Sequence, residues 1–530
     1  MKKQRPWLWP AILVLLAMVP FTWIAFSYGD LPQFGKYQDD GLLLIAGKSL
    51  QQSEGYRIAS LPGKPFQTKY EPLYPMLLSV LWSIDSRFPE NLRVLSVTQW
   101  VIVVAFLLAG FLLFRSFGFS HWKSAAMLTF LATSPWFLYW ALLPFADVAF
   151  SLLVVSTFYL LHKHRDYPHW WWIAGCVGAA ACLMKVAGVL LVPAVWSGSW
   201  RRREWERGLI TTAPMLAAFL GWTVWSGLHR IPAQNSVLWY YTDYVAFHVK
   251  NGGLAALPQI LQANLPSFIV AVGNTFLYNL ADSMPGRFLS ILVLAAGISG
   301  VRRIMKLSGE LEFPVFSALL TLLLLVWNFS PNVRFLVPAL PLFAMGLCAE
   351  AEHICALIQR AARSTRAADR VAAHTIGAGL VAVCVISLVL NVNFTLRGIP
   401  RLLQHDRAAL ARDRTTYEWC KHTLPSSSVV LASNDTFLYL YTGLSAVRPV
   451  PSSVAFYKGD QAGELENFTQ IDDLADFFGI THILITPDDF GDFEPAQRKF
   501  ILQTLLNNPR LRKIYVANDS TVLEVERKRL

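Results

Sequence analysis

Residues 36–50 read K-Y-Q-D-D-G-L-L-L-I-A-G-K-S-L, and beyond a glycine- and proline-marked turn region residues 67–75 read Q-T-K-Y-E-P-L-Y-P. Two adjacent carboxylates, Asp39 and Asp40, head a segment in which Leu43, Ala46 and Leu50 recur at helical spacing, so a helix lying on a membrane surface is expected there. Lys69, Tyr70 and Glu71 then lead back to an apolar stretch, Pro72–Ile84. All of this follows the first long apolar run, Trp7–Phe26, where a plain connector would be short.

Working outward, the chain is 530 residues long, with 54% hydrophobic, 13% aromatic and 15% charged residues. Soluble domains carry about 25% charged residues, so the deficit is a membrane signal. The net charge of +11 does not form one basic face; it comes in short clusters between apolar runs, which points to topology and excludes nucleic acid as the partner. Met1–Phe26 has the basic start of a signal peptide. Its apolar run is about 20 residues and lacks a small-residue cleavage pattern, which favours an uncleaved span with a cytoplasmic N-terminus. The six cysteines show neither disulfide nor metal-ligand spacing and read as buried, inert thiols.

Cytoplasmic loops are enriched in Lys and Arg. The clusters at Lys2/Lys3/Arg5, Arg115/Lys123, Lys163/Arg165, Arg201–Arg207, Arg302–Lys306 and Arg360–Arg370 should therefore share the cytoplasmic side. This condition predicts spans at Trp7–Phe26, Leu92–Phe114, Ser124–Leu143, Ala146–Leu161, Leu209–Leu228, Phe288–Gly300, Phe313–Phe329, Arg334–Leu357 and Thr375–Val392. Trp170–Trp196 has basic clusters on both sides and must cross twice or not at all; two short helices meeting at Lys185 satisfy it. The expected fold is an α-helical polytopic membrane protein of about eleven transmembrane helices. Residues 1–395 form the membrane domain, with external loops at 27–91, carrying juxtamembrane helices, and at 229–285. Residues 396–530 have the composition of a small soluble α/β domain outside the cytoplasm, with strands at Val429–Ala432 and His482–Ile485 and a hairpin over Lys513–Ala517 and Thr521–Val525. The aromatic run Trp239–Tyr244 reads as an interfacial belt.

On this topology Asp39, Asp40 and Asp147 meet the cations Lys69, Lys185 and Arg334 at the external membrane surface. A carboxylate can take the proton of an acceptor hydroxyl, while cations, or a metal held by carboxylates, stabilise charge on a departing phosphate. That combination suits transfer of a sugar from a lipid phosphate to a hydroxyl. Structural roles compete with it: helix capping by the aspartates and snorkelling by the cations.

The pieces Asp39-Asp-Gly-Leu-Leu-Leu, Lys69-Tyr-Glu-Pro-Leu-Tyr-Pro75, Pro144-Phe-Ala-Asp147, Leu183-Met-Lys185 and Arg334-Phe-Leu-Val-Pro-Ala-Leu-Pro341 occur in the order seen in GT-C glycosyltransferases. Residues 1–395 thereby resemble bacterial relatives of protein O-mannosyltransferases and of the lipid A aminoarabinose transferase. Asp-Asp stands where Asp-Glu is common, and Tyr-Glu-Pro where His-Pro-Pro is common. The resemblance implies a polyprenyl-phosphate sugar donor, a glycan, lipid or protein acceptor, and a site on the outer face of the bacterial cytoplasmic membrane. One of Asp39 and Asp40 would be the base or a metal ligand, and Asp147 would help hold the acceptor or a metal. Lys69, Lys185 and Arg334 would lie by the donor phosphate, with Tyr70, Glu71 and Tyr74 near the acceptor or sugar. A divalent ion on Asp39, Asp40 and Asp147 is one alternative, a metal-free site the other. Two other classes stay open. A transporter or lipid flippase should show internal repeats and charges along a path, and a membrane-anchored sensor would leave the charged first loop unexplained. A cysteine-accessibility map is expected to find positions 39 and 147 on one membrane face, opposite Arg302 and Arg303; labelling of 39 and 147 from different faces would break this topology.

Overall fold

The computed structural model describes residues 7–526 apart from 233–234, 251–252, 278–279, 365, 452 and 492. The Lys2/Lys3/Arg5 cluster lies outside the described residues. Two long apolar helices, α1 (Leu8–Ser27) and α4 (Leu92–Ser116), bracket the first loop, which holds α2 (Asp39–Gln51) and α3 (Leu73–Ile84). At 1.5 Å per residue the 12 residues of α3 extend about 18 Å, too short for a bilayer core of about 30 Å. Instead α3 packs on α2, and Trp82 Nε1 donates to the Leu44 carbonyl at 3.0 Å. The apolar side of α2 packs on protein and not on the membrane surface expected for it: Leu43 and Ala46 are buried, and the helix lies against α3 and the C-terminal region.

The single span expected over Ser124–Leu143 is broken into α5 (His121–Ala132) and α6 (Pro135–Leu142), which meet at 65°. Pro135 lacks an amide hydrogen and disfavours helical geometry in Ser134, whose ψ is 111°. After α7 (Ala146–Lys163) come α8 (Pro168–Met184), a 3-10 turn over Val186–Leu190, and α9 (Leu191–Arg202). Lys185 stands extended at the break, φ −159° and ψ 137°, where two short helices were expected to meet. The next long helix is α10 (Trp205–His229).

The described residues of 229–285, expected as a loop, are largely helical. They form α11 (Ser236–Thr242), α12 (Tyr244–Lys250) and α13 (Leu257–Leu277), the last long and apolar enough to span. Polar side chains fix α13 against its neighbours. Asn264 Nδ2 donates to the Trp327 carbonyl at 2.6 Å and Asn264 Oδ1 accepts from Tyr457 of the C-terminal region at 3.0 Å, while the Ser387 hydroxyl binds the Phe276 carbonyl. The bundle closes with α14 (Met284–Ser308), α15 (Glu312–Val326), α16 (Val333–Leu336), α17 (Leu340–Ala362) and α18 (Ala367–Asn393). Among the described residues eight helices are long and apolar enough to cross a membrane, or nine with the bent α5–α6 pair; α8, α9 and α15 fall short of that length. The chain is a multi-pass membrane protein.

At the end of α7 away from Asp147, charges that the topology treats as loop residues are drawn into the fold. Arg202 pairs with Glu312 and, at 3.2 Å, with Glu310; Arg207, 1% exposed, pairs with Glu204 at 2.8 Å and donates to the Leu161 carbonyl at 3.0 Å. These pairs lock the α9–α10 turn to the α14–α15 turn.

A π-helical turn over Phe394–Gly398 leads from α18 into α19 (Ile399–Thr423) and then a five-stranded sheet. Its strands are β1 (Val429–Leu431), β2 (Ser445–Val447), β3 (His482–Ile485), β4 (Leu511–Ala517) and β5 (Ser520–Val525), in the order β2-β1-β3-β5-β4. The first three neighbours are parallel and the last two pairings antiparallel. Helix α20 (Asp435–Thr442) follows β1 and faces the first loop.

Close packing of α14 on α17 depends on missing side chains, because a Cβ on Gly300 would stand 1.8 Å from the Gly346 carbonyl oxygen. Gly300→Ala is expected to destabilise the bundle by about 1–3 kcal/mol in thermal unfolding of the detergent-solubilised protein. Gly379→Ala, on α18 with open space around it, is expected to be neutral or slightly stabilising.

Candidate active site

The first turn of α2 begins at Asp39, directly after Gln38, whose φ of +62° turns the chain sharply into the helix. Neighbouring positions on a helix diverge by about 100°, and the two aspartates separate accordingly. Asp40 is fully buried and its Oδ2 accepts the Gly35 amide at 2.8 Å, which stabilises the turn. Asp39 points the other way, toward the cations.

Its Oδ1 accepts the hydroxyl of Tyr70 and lies 3.8 Å from Lys69 Nζ; its Oδ2 accepts from Arg334 at 3.3 Å. Arg334 Nε donates at 2.7 Å to Asp147 Oδ2, and Lys185 Nζ binds the other oxygen, Asp147 Oδ1. One guanidinium thus joins the first loop to α7, and the break between α8 and α9 delivers Lys185 to the same carboxylate. Arg334 is aimed by its own short helix, where Asn332 Oδ1 accepts the Arg334 amide at 3.0 Å, and by the Phe145 ring 3.5 Å beneath the guanidinium. Three cations face two carboxylates, leaving one positive charge in excess for an anionic ligand. Asp39 and Lys185 retain side-chain exposures of 25% and 28%, whereas Asp147 keeps 6%.

Burial alone would raise the pKa of Asp39, but the charges of Lys69 and Arg334 outweigh it and hold the carboxyl below the usual carboxylate range. Burial dominates at Lys69, whose pKa falls to about 8 in spite of Asp39. Burial likewise pushes Asp40 and Glu71 up to about 7.

The remaining predicted residues fall around this row. Tyr70 touches Asp39 directly; Glu71 is buried and faces the Val186 amide beside Lys185; Tyr74 is buried, and its hydroxyl has no hydrogen-bond partner among the described residues. Three tyrosines assigned above to an interfacial belt line the site or support it instead. Lys69 Nζ lies 4.0 Å from the Tyr240 ring and 5.0 Å from Tyr244, with Tyr70 at 4.8 Å, and Tyr241 is fully buried behind them. Asp243, inside the aromatic run and paired with Arg230 at 2.8 Å, is the one sign in the sequence that this segment packs on protein.

The donor set argues against a divalent ion held by Asp39, Asp40 and Asp147. Asp40 is turned away, the oxygens of Asp39 and Asp147 already face cations, and among the described residues no three His, Cys, Asp or Glu side chains gather as metal ligands. The residues present do not fit the ion.

No protein-family model matches the chain, and no curated protein matches it. Solved structures do. ArnT from Cupriavidus metallidurans bound to undecaprenyl phosphate superposes over 97% of each chain with a TM-score of 0.54 at 13% identity. The oligosaccharyltransferase AglB of Archaeoglobus fulgidus, in complex with an inhibitory peptide and a dolichol-phosphate, matches over 90% of this chain and 69% of its own with a TM-score of 0.52 at 12% identity. The same oligosaccharyltransferase with Zn and sulfate gives 0.52 at 11% identity, over 89% of this chain and 67% of its own. The chain carries the GT-C fold. At these identities the likeness is one of architecture, and the GT-C fold extends here through the C-terminal sheet as well as the helices, since the ArnT match covers nearly the whole chain.

Removing one partner of a buried ion pair leaves the other charge uncompensated. Asp147→Ala, which takes a carboxylate from both Lys185 and Arg334 and leaves Arg334 with Asp39 alone, is expected to cost about 3–5 kcal/mol of stability. Asp39→Ala should cost less, because Asp39 remains partly solvated; thermal unfolding of the two variants side by side checks the order.

Proposed function

We propose that this protein is a glycosyltransferase that moves a sugar from a polyprenyl-phosphate carrier to a hydroxyl of a glycan, lipid or protein acceptor at the outer face of the bacterial cytoplasmic membrane. The observation that carries the reading is the contact at Asp39: an ionised carboxylate accepts a hydroxyl proton from Tyr70 while Arg334 bridges it to Asp147. An acceptor hydroxyl offered to Asp39 would make the same contact. The GT-C fold, and the undecaprenyl phosphate and dolichol-phosphate held by ArnT and AglB, support a lipid-phosphate donor. The ions at the far end of α7 pair among themselves, and those around Asp147 form a separate group; two clusters at opposite ends favour this reading over a continuous transport path.

In the reaction the acceptor oxygen attacks the anomeric carbon and its proton passes to Asp39. The bond from that carbon to the carrier phosphate oxygen breaks, and the phosphate leaves with the electron pair. Lys185 and Arg334 meet the charge that grows on it, Arg334 through its planar fork and Lys185 as a point charge. Asp147 holds both in place. Lys69, desolvated among the tyrosines, joins Arg334 in holding the Asp39 carboxyl low. Asp40 serves the turn and takes no part.

Purified protein in lipid vesicles, supplied with a panel of polyprenyl-phosphate sugars and read by mass spectrometry of lipid-linked and acceptor-linked glycan, tests the reading. Asp39→Asn is expected to lose about 10²–10⁴ in rate, while Asp40→Asn, which keeps an acceptor for the Gly35 amide, should lose little. Undiminished transfer by Asp39→Asn would overturn the assignment. Lys69 loses its charge as pH rises through about 8, where Asp39 is ionised with or without it, so no alkaline fall in rate is expected from Lys69.

A further inference from the structure

The position of Asp39 depends on a residue about four hundred positions away. Gln38 has φ +62° and ψ −47°, a conformation unfavourable for any side chain with a Cβ, and is 1% exposed. Its Nε2 donates to both carboxylate oxygens of Asp435, at 3.4 and 3.3 Å. Asp435 is itself fully buried at the start of α20 and accepts the Tyr241 hydroxyl at 2.6 Å; Tyr241 in turn accepts the Arg448 amide at 2.9 Å. One carboxylate of the C-terminal domain therefore grips the first loop and the second at once.

The grip is reinforced on either side of it. A Cβ on Gly41 would stand 2.1 Å from Thr436 Oγ1, and one on Gly35, at φ +85°, would stand 2.5 Å from Asn434 Oδ1. Residues 434–436 thus press against both ends of the turn that presents Asp39. Phe34 and Phe88 add aromatic contacts to Phe437, with ring centroids 6.5 and 5.3 Å apart.

We propose that Asp435 is a positioning residue for sugar transfer, acting through Gln38 to hold Asp39 against Arg334, and that the C-terminal domain is thereby one wall of the active site. This rests on the glycosyltransferase reading above. Asp435 does not touch the reacting atoms: Arg334, Lys69 and Tyr70 contact Asp39, and Gln38 lies between. Donor phosphate is met by Lys185 and Arg334, and Asp147 anchors both through contacts that do not pass through Gln38 or Asp435.

The test uses full-length protein in lipid vesicles with a polyprenyl-phosphate sugar that the unaltered protein turns over. Asp435→Ala and Gln38→Ala are each expected to lower kcat about tenfold to hundredfold, the cost of a displacement near 1 Å, with the KM for the lipid donor within about twofold. The double variant should be no slower than the worse single one, because both changes cut one link. Gln38→Ala stands in if Asp435→Ala fails to fold, as it leaves the Asp435–Tyr241 bond intact. Unchanged kcat in the folded variants, or losses that multiply in the double variant, or kcat and KM worsening together, would overturn the proposal. These outcomes leave the glycosyltransferase reading standing as long as the unaltered protein transfers sugar and Asp39→Asn does not. A protein that transfers no sugar from any carrier would defeat that reading first.

Discussion

The Arg334 guanidinium is the point on which the structure turns. It bridges Asp39 in the first loop and Asp147 at the head of α7, and it lies face-on against Phe145. A buried cation of this kind is costly unless its donors are met, and two carboxylates from distant segments meet them. The same arrangement that makes burial tolerable also builds a site, because carboxylates held beside cations at one end of a bundle form a polarised cleft. Stability and chemistry here come from one set of contacts.

Reaching that arrangement requires interruptions in otherwise regular helices. Lys185 arrives through the gap between α8 and α9, Asp147 opens α7 just after the α5–α6 kink and its connector, and Arg334 sits on a four-residue helix before α17. Unwound backbone at membrane depth is tolerated where it is buried in protein or lines a cavity. At the opposite end of α7 the Arg202, Arg207 and Glu312 pairs fasten neighbouring turns together. The helices are thus clamped at one end by ions that only pair with each other, and at the other by ions that leave charge available.

Much of this could be read from residues alone. A lysine in the middle of an apolar stretch, too short for two ordinary spans and too long for one, located the α8–α9 break; the order of the charged motifs located Asp39, Asp147, Lys69 and Arg334. The β-strand positions in the C-terminal region were legible too, since alternation and turn residues are local signals. What escaped was set by tertiary contacts. Whether Asp39 or Asp40 faces the cleft depends on the entry angle of α2, which Gln38 and Asp435 determine. The tyrosines of 240–244 looked like lipid-facing aromatics because composition does not distinguish a membrane surface from a protein one. The helix α13 escaped as well, since 229–285 was expected as a loop and contains a helix long and apolar enough to span.

The C-terminal domain gains its meaning from tertiary contacts as well. A detached domain would need only a linker, and α19 could have ended in one. Instead residues 434–437 fill space that Gly35 and Gly41 leave open, and a buried carboxylate satisfies donors from both loops. Two separate accommodations, one steric and one polar, converge on the seven-residue stretch from Gly35 to Gly41, and that stretch ends on Asp39 and the helix it starts. A turn held in a strained conformation by a distant domain can present a carboxylate with an orientation that local sequence could not maintain. The membrane half supplies the cations, and the C-terminal half governs where the carboxylate meets them.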